Sequence, residues 1–315
     1  MSRTLRLLSV VIPCHNEEEV LLSTHQRLTG ILSELILKKT IEDYELVMVN
    51  NGSMDGTVAV MLRLFKEDAR VVVVDLRRNF GYQASITSGL DAAKGDAVVT
   101  IDADLQDPPE KIEEMIRFFQ EGYDLVLGIR QDRSTDSFFK RVFSQFYYRF
   151  CQWMGVEVVY NHGDFRLMAR SLLDQFKEMT ERDRFIRAMI LYLDHHYASV
   201  FYERQTRKLG ITKFFVGDLF SLAMDGIISY SYKPLRMMSI FGLFTSCIAL
   251  VLACWVFYMK LLHNILLGWA STLLPIVFFG GIQCLFLGII GEYVGRLYAE
   301  VKARPLYAIR AIHKH

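Results

Sequence analysis

The chain has 315 residues, enough for one large domain and an appendage, and its 36 Lys and Arg against 35 Asp and Glu leave a formal charge of +1. That balance gives no electrostatic case for nucleic acid as a partner. Hydrophobic residues make up 52% of the chain, high for a soluble protein, and the excess is concentrated in two uncharged stretches of the last third. Five cysteines form no C-x-x-C pair, and an odd number leaves one unpaired in any disulfide scheme, which fits a reducing compartment. Met1 to Arg6 lead straight into a strand-like run without the pattern of a secretory leader, so the front of the chain is expected in the cytoplasm.

Leu7 to Pro13 reads as a buried first strand, followed by Cys14-His15-Asn16-Glu17-Glu18-Glu19. A dinucleotide-binding domain places G-x-G-x-x-G at this point; acidic residues here argue against a backbone phosphate cradle. Asn16 or Glu17 either caps a helix beginning near Val20 or contacts a base or ribose. Glu45 to Val49 is a second strand, running into the turn-rich loop Asn50-Asn51-Gly52-Ser53-Met54-Asp55-Gly56-Thr57, from which Asp55 or Thr57 can start the next helix. Arg70 to Leu76 is a third strand, and Arg77-Arg78-Asn79-Phe80-Gly81-Tyr82 opens a helix rich in small residues up to Gly95.

The apolar run Ala97 to Ile101 is the fourth strand, and Asp102-Ala103-Asp104-Leu105-Gln106-Asp107-Pro108-Pro109 follows it. If the backbone stays extended there, Asp102, Asp104 and Gln106 share a face. The prolines and Glu110 to Ile116 mark a helix start, so the acidic triplet sits in a strand-to-helix loop at the edge where open α/β sheets bind ligands. A hard divalent ion, Mg²⁺ or Mn²⁺, takes one or two carboxylates and completes its shell with water and substrate phosphates. The same aspartates can instead cap the helix and make turns. Asp124 to Arg130 reads as a further strand, and strands alternating with helical segments predict an α/β fold with a mostly parallel sheet.

Ser137 to Met154 carries aromatic residues at helical spacing with Lys140, Arg141 and Arg149, and reads either as a core helix or as an interfacial one. Asp164, in Gly163-Asp164-Phe165-Arg166, either stands near a reaction centre or pairs with an arginine. The adjacent His195 and His196 read as structural or surface residues. Arg204, Arg207, Lys208 and Lys213 cluster around Gly210 and form, taken alone, a solvated face.

Taken in order, Pro13-Cys14-His15-Asn16-Glu17-Glu18, the N-G-S-x-D-G-T loop, Arg78-Asn79-Phe80-Gly81, Asp102 to Pro108, Gly163 to Arg166 and Gly291-Glu292-Tyr293-Val294-Gly295-Arg296 resemble the polyprenyl-phosphate glycosyltransferases. These are the bactoprenol glucosyltransferase and dolichyl-phosphate mannose synthase group of inverting enzymes with the GT-A fold. The resemblance implies a nucleotide-sugar site formed by Pro13, Asn16, Glu17, Asn51, Asp102 and Asp104. It implies a metal held by Asp102, Asp104 and Gln106, and catalytic roles for Asp104, Asp164 and Arg130. Arg130, Arg141, Arg207 and Lys213 become the expected ligands of the acceptor phosphate, suited to it by the forked and point-charge donors of arginine and lysine. In one respect the chain departs from the group, whose members usually carry Asp at the position of Asn51; Asn keeps an acceptor, gains a donor and loses the charge.

Met237 to Met259 contains no Asp, Glu, Lys or Arg over 23 residues, and Leu261 to Gly291 none over 31. About 20 apolar residues span a bilayer, so two transmembrane helices are expected, near 237–259 and 272–291. Lys233 and Arg236 before the first, and Arg296, Lys302, Arg304, Arg310 and Lys314 after the second, put both ends in the cytoplasm by the positive-inside rule. The expected layout is a catalytic domain over 1–213, an amphipathic juxtamembrane segment over 214–232, a two-helix transmembrane hairpin within 233–295 and a basic tail over 296–315. The expected place is the inner (cytoplasmic) membrane.

The implied reaction is metal-dependent inverting transfer of a sugar, glucose from UDP-glucose as first choice, to undecaprenyl or another polyprenyl phosphate. Partners would be the nucleotide sugar, the lipid and the membrane, with homo-oligomerisation left open. Two alternatives remain at this point. One is a membrane-tethered nucleotide-sugar-binding protein without turnover, marked by Asn51. The other is a processive polysaccharide synthase, although the Q-x-x-R-W motif of that class does not occur.

Overall fold

Strands covered by helices on both faces need apolar residues at nearly every position. β1 (Leu7–Cys14) is buried throughout after Leu7, and β2 (Asp43–Asn50), β3 (Val71–Leu76) and β4 (Ala97–Thr100) are almost as enclosed. In the computed structural model, which describes residues 3–131, 153–154, 159–203, 231–263 and 268–315, these four strands run parallel in the order β3-β2-β1-β4. β5 (Leu125–Arg130), β6 (His162–Ala169) and β7 (Tyr197–Tyr202) extend the sheet beyond β4, and β8 (Ile309–His313) extends it beyond β3. β6 lies antiparallel between β4 and β5, and β8 antiparallel on β3, so the expected mostly parallel α/β sheet carries two reversed strands.

The helices follow the predicted alternation: α1 (Glu18–Leu37), α2 (Thr57–Glu67), α3 (Tyr82–Ala92) and α4 (Ile112–Glu121), the last entered through one 3₁₀ turn at Pro109–Lys111. The small residues of α3 have a packing reason. A Cβ on Gly89 would come within 2.4 Å of Val11 Cγ1 and 2.9 Å of Val49 Cγ2, so only glycine lets this helix lie so close to β1 and β2. After β6 come α5 (Arg170–Glu178) and α6 (Ile186–Leu193). His196, just before β7, stacks on Tyr123 at 4.8 Å, a packing contact at the surface.

Three local expectations change. β6 is a strand without a strand's apolar pattern in the sequence, because His162, Asp164 and Arg166 interrupt that pattern on one face while Phe165 and Leu167 keep the other in the core. The backbone does not stay extended beyond β4: Asp102 to Gln106 is a turn with Leu105 at φ 55°, so strand alternation does not put the three oxygen donors on one face. The segment 296–315, expected as a basic tail, instead continues a helix to Lys302 and then supplies β8.

That last strand is tied in by side chains as well as backbone. Tyr307 donates to Asp91 Oδ2 at 2.5 Å, and Arg310 reaches the buried Asp75 carboxylate at 3.3 Å while also donating to Arg77 O. Asp75 in turn accepts from Asn50 Nδ2 at 2.7 Å. Removing residues 307–315 should therefore uncover the edge of β3 and leave a buried carboxylate short of a partner. The expected result is a loss of at least about 2 kcal/mol in unfolding free energy, with a greater tendency to associate through the bare edge. Thermal unfolding and light scattering of the truncated chain in detergent would check this, and an unchanged melting temperature would contradict it.

A second compact unit contains α7 (Lys233–His263) and α8 (Trp269–Lys302). Within these, Lys233–Tyr258 and Pro275–Lys302 are long and apolar enough to cross a membrane by length and composition, and none of either window is buried. The helices start and end outside the expected limits of 237–259 and 272–291: both ends of α7 and the last turn of α8 carry charged residues that a count of uncharged positions omits, and α8 begins three residues early, within the uncharged run. Tyr293 donates to Ser231 O at 2.6 Å, and Phe241 meets Phe286 edge-on at 5.9 Å. The expected interfacial helix at 137–154 and juxtamembrane segment at 214–232 lie largely outside the described residues.

Candidate active site

The carboxyl ends of β1, β2 and β4 open into a cleft of about 320 Å³, the position expected for a ligand site in a parallel sheet. Its walls include Pro13, His15 and Glu17 at and after the end of β1, Asn51 after β2, Asn79, Gly81 and Tyr82 at the start of α3, and Asp102 to Asp104 after β4. Gly52 makes this convergence possible. Its φ is +64°, and a Cβ there would fall 2.3 Å from the backbone of Arg78 and Asn79, so the loops after β2 and β3 touch through a residue without a side chain.

Of the expected nucleotide-sugar residues, Pro13, Glu17, Asn51, Asp102 and Asp104 line this cleft. Asn16 does not: its backbone is left-handed at φ 57°, its N–H donates to Ser53 Oγ, and its side-chain oxygen accepts from Met54 N at 2.8 Å. It fastens two loops to each other. Helix α1 starts at Glu18, whose carboxylate accepts from Gly56 N at 2.8 Å, and α2 starts where Asp55 Oδ1 accepts from Thr57 N at 3.1 Å.

Asp102 is half-buried and accepts a hydrogen bond from Tyr82 Oη at 2.5 Å. Burial above all, with the nearby Asp164 and Asp107 carboxylates, pushes its pKa up to about 7, against the opposing effect of the Tyr82 hydrogen bond. Asp104 Oδ1 accepts from Gln106 N at 3.1 Å, a local turn of the kind these residue types make. Gln106 itself is 8% exposed and is not among the cleft-lining residues, so the metal set expected from the sequence is brought together only as Asp102 and Asp104. Among the described residues there is no group of three or more His, Cys, Asp or Glu able to hold an ion by themselves. Two carboxylates in an open cleft fit a Mg²⁺ or Mn²⁺ ion shared with substrate phosphates, not a protein-only cage.

Behind the cleft, one face of β6 presents His162, Asp164 and Arg166. Asp164 accepts from Arg166 and, at 2.5 and 3.2 Å, from Arg187. Burial alone would raise its pKa, but Arg187 and Arg166 outweigh it and hold the carboxyl well below the usual range. Arg166 is fully buried, with Nε and Nη1 unpartnered, and Nε2 of buried His162 is unpartnered too. Burial, reinforced by Arg166 and Arg187, keeps His162 neutral by lowering its pKa. Of the two expected readings of Asp164, pairing with arginine is the arrangement observed.

Arg130 is likewise engaged within the protein. It donates to Tyr202 Oη at 3.2 Å and to Asp107 at 3.3 Å, and Tyr202 donates to Asp107 Oδ1 at 2.7 Å. A quarter of its side chain remains exposed. Arg141, Arg207 and Lys213 lie outside the described residues. The residues missed from sequence are Tyr82, Arg166 and Arg187. Tyr82 directly follows the R-N-F-G motif and could have been read from it, whereas nothing near Arg187 in sequence points to Asp164.

Comparison with known proteins agrees with this geometry. Residues 9–177 match Glycosyl transferase family 2. The chain is 40% identical over 312 residues to the uncharacterized glycosyltransferase YkcC of Bacillus subtilis (strain 168), covering 98% of this chain and 95% of that one. It is 37% identical over 317 residues to the bactoprenol glucosyl transferase of Shigella phage SfII, covering 98% of each. Among solved structures, glucosyl-3-phosphoglycerate synthase from Mycobacterium tuberculosis in complex with Mn²⁺, UDP-glucose and phosphoglyceric acid is similar with a TM-score of 0.45 and 20% identity, covering 71% of this chain and 78% of that one. A family match across more than half of the chain, with relatives alike from end to end, means that this chain belongs to glycosyl transferase family 2 and is a glycosyltransferase.

Proposed function

We propose that the chain transfers a sugar, glucose from UDP-glucose as first choice, to the phosphate of undecaprenyl or a similar polyprenyl lipid at the cytoplasmic face of the membrane. The observation that carries the reading is the Asp102 and Asp104 pair in a cleft at the strand ends, where burial first, and neighbouring carboxylates after it, raise the pKa of Asp102. Such a site favours a cation. A bound Mg²⁺ or Mn²⁺ would neutralise charge on the departing diphosphate. Tyr82 orients Asp102 through its hydroxyl, and the loops carrying Glu17 and Asn51 form the nucleotide side of the cleft.

The acceptor class is supported by relatives named bactoprenol glucosyl transferase, aligned over 98% of their length, and by two helices long and apolar enough for a membrane. Lys233, Arg236 and the cationic residues after Arg296 favour a hairpin with both ends in the cytoplasm. A lipid phosphate is largely dianionic at neutral pH, with a second pKa of ~6, so no general base is needed to activate it. What it needs is cationic positioning beside a second phosphate, for which Arg130, Arg141, Arg207 and Lys213 are the proposed residues. Attack from the face opposite the diphosphate inverts the anomeric carbon.

The test is transfer from a panel of radiolabelled UDP- and GDP-sugars to undecaprenyl phosphate in detergent, with Mg²⁺ or Mn²⁺ and with EDTA. A lipid-linked product from one donor, lost in EDTA, is expected. Nucleotide binding without product from any donor would favour the tethered binding protein instead. The pKa of Asp102 adds a pH dependence. A cation must displace its proton below about pH 7, so Mn²⁺ affinity of the nucleotide-free protein should fall roughly tenfold per unit below that pH and level off above it. Calorimetric titration from pH 5.5 to 8 checks this, with Asp102→Asn expected to abolish the slope.

A further inference from the structure

Asn51 is the position at which the resemblance leads one to expect an aspartate facing the nucleotide, yet its side chain is spent inside the protein. It is only 5% exposed. Its Oδ1 accepts from Phe80 N at 3.0 Å, and its Nδ2 donates to Asn79 Oδ1 at 3.1 Å and to Gly81 O at 3.2 Å. A carbonyl can only accept and an N–H can only donate, so these partners set the orientation of the amide. Asn79 is oriented by the same logic, since its Oδ1 also accepts from Gly81 N at 2.8 Å, which leaves Nδ2 facing His15 Nε2 at 3.2 Å. His15 Nε2 is therefore the acceptor, the hydrogen sits on Nδ1, and Nδ1 donates to Asn51 O at 3.0 Å.

We infer that Asn51, Asn79 and His15 form a closed ring of hydrogen bonds of one polarity that positions the nucleotide wall of the cleft, and that Asn51 acts as a positioning residue and not as a nucleotide ligand. The ring joins the loops after β1, β2 and β3, and all three residues line the cleft. An aspartate at this position would set a carboxylate oxygen against Asn79 Oδ1 and Gly81 O, both acceptors. Turning the Asn79 amide over does not relieve this, because its amide nitrogen would then face Gly81 N–H. The inference rests on the proposed nucleotide site, and it reverses the sign expected from the resemblance. Restoring the usual aspartate should harm this chain.

The test has two arms on the full-length protein in detergent. In the first, UDP and separately GDP are titrated with Mn²⁺ present into wild type, Asn51→Asp, Asn51→Ala, Asn79→Ala and the double alanine variant, with melting temperatures recorded for each. Asn51→Asp should weaken nucleotide binding about tenfold or more. Each single alanine change should weaken it several-fold, and the double change should do no more than the worse single one, because the ring is already open. Tighter binding by Asn51→Asp, or additive losses in the double variant, would overturn the inference. The second arm reads the ring without any nucleotide: ¹⁵N spectra of histidine-labelled wild type, with His15→Gln for assignment, should show His15 as the Nδ1–H tautomer, shifting in Asn79→Ala. A wild-type Nε2–H tautomer would overturn the ring even if every variant failed to fold. Failure of wild type to bind either nucleotide with the Nδ1–H tautomer present would refute the nucleotide site while leaving the ring standing.

Discussion

Replacing Asp104 with asparagine is expected to lower lipid-linked sugar transfer by at least about 10²-fold while leaving the fold intact. An asparagine side-chain oxygen can still accept from Gln106 N, so the turn after β4 keeps its 3.1 Å hydrogen bond and only the charge is removed. If the carboxylate helps to hold a cation against the leaving diphosphate, losing it removes stabilisation at the point where negative charge develops, and single groups of that kind typically carry 10²–10³ in rate. Initial rates with saturating donor, beside melting temperatures, measure the effect. Activity within about threefold of wild type would take Asp104 out of the reaction, and Asp104→Ala would then report only on the turn.

Asp164→Ala is expected to act through stability. Arg166 has no exposure, two of its three nitrogens lack partners, and Asp164 is the carboxylate that balances it and Arg187. Removing the acid leaves an uncompensated buried guanidinium, which typically costs about 3–5 kcal/mol. For a unit of this size, each kcal/mol moves the melting temperature by roughly 2–4 °C, so a fall of about 10 °C is expected. Arg166→Met added to Asp164→Ala should recover part of the loss, because an apolar side chain needs no counter-charge. Asp164→Ala with an unchanged melting temperature but no turnover would reverse the assignment and place Asp164 in the reaction.

The contrast between these two aspartates shows what was legible in advance. Both sit in motifs of the family, and the sequence offered each a catalytic and a structural reading. Asp104 lies in a loop at a strand end, where local spacing and the following prolines already imply a place at the open edge of the sheet, and it lines the cleft there. For Asp164 on strand β6 one arginine partner, Arg187, lies 23 residues further on and is delivered by helix α6. Gln106 failed for a local reason: counting every second residue holds only while the chain stays extended, and Leu105 turns it.

By itself the sequence determined the alternation of apolar strands and helices, the two uncharged segments and the ordered motifs that identify the family, because each is written in neighbouring residues. The extension of the sheet by β8 depended on tertiary structure, since a five-residue strand interrupted by Arg310 carries little signal until β3 offers it an edge. So did the diversion of Arg130 to Asp107 and Tyr202, and the ring of His15, Asn51 and Asn79, whose members lie on three separate loops. Residue type says what a side chain can donate or accept. Only the fold says which partner reaches it first.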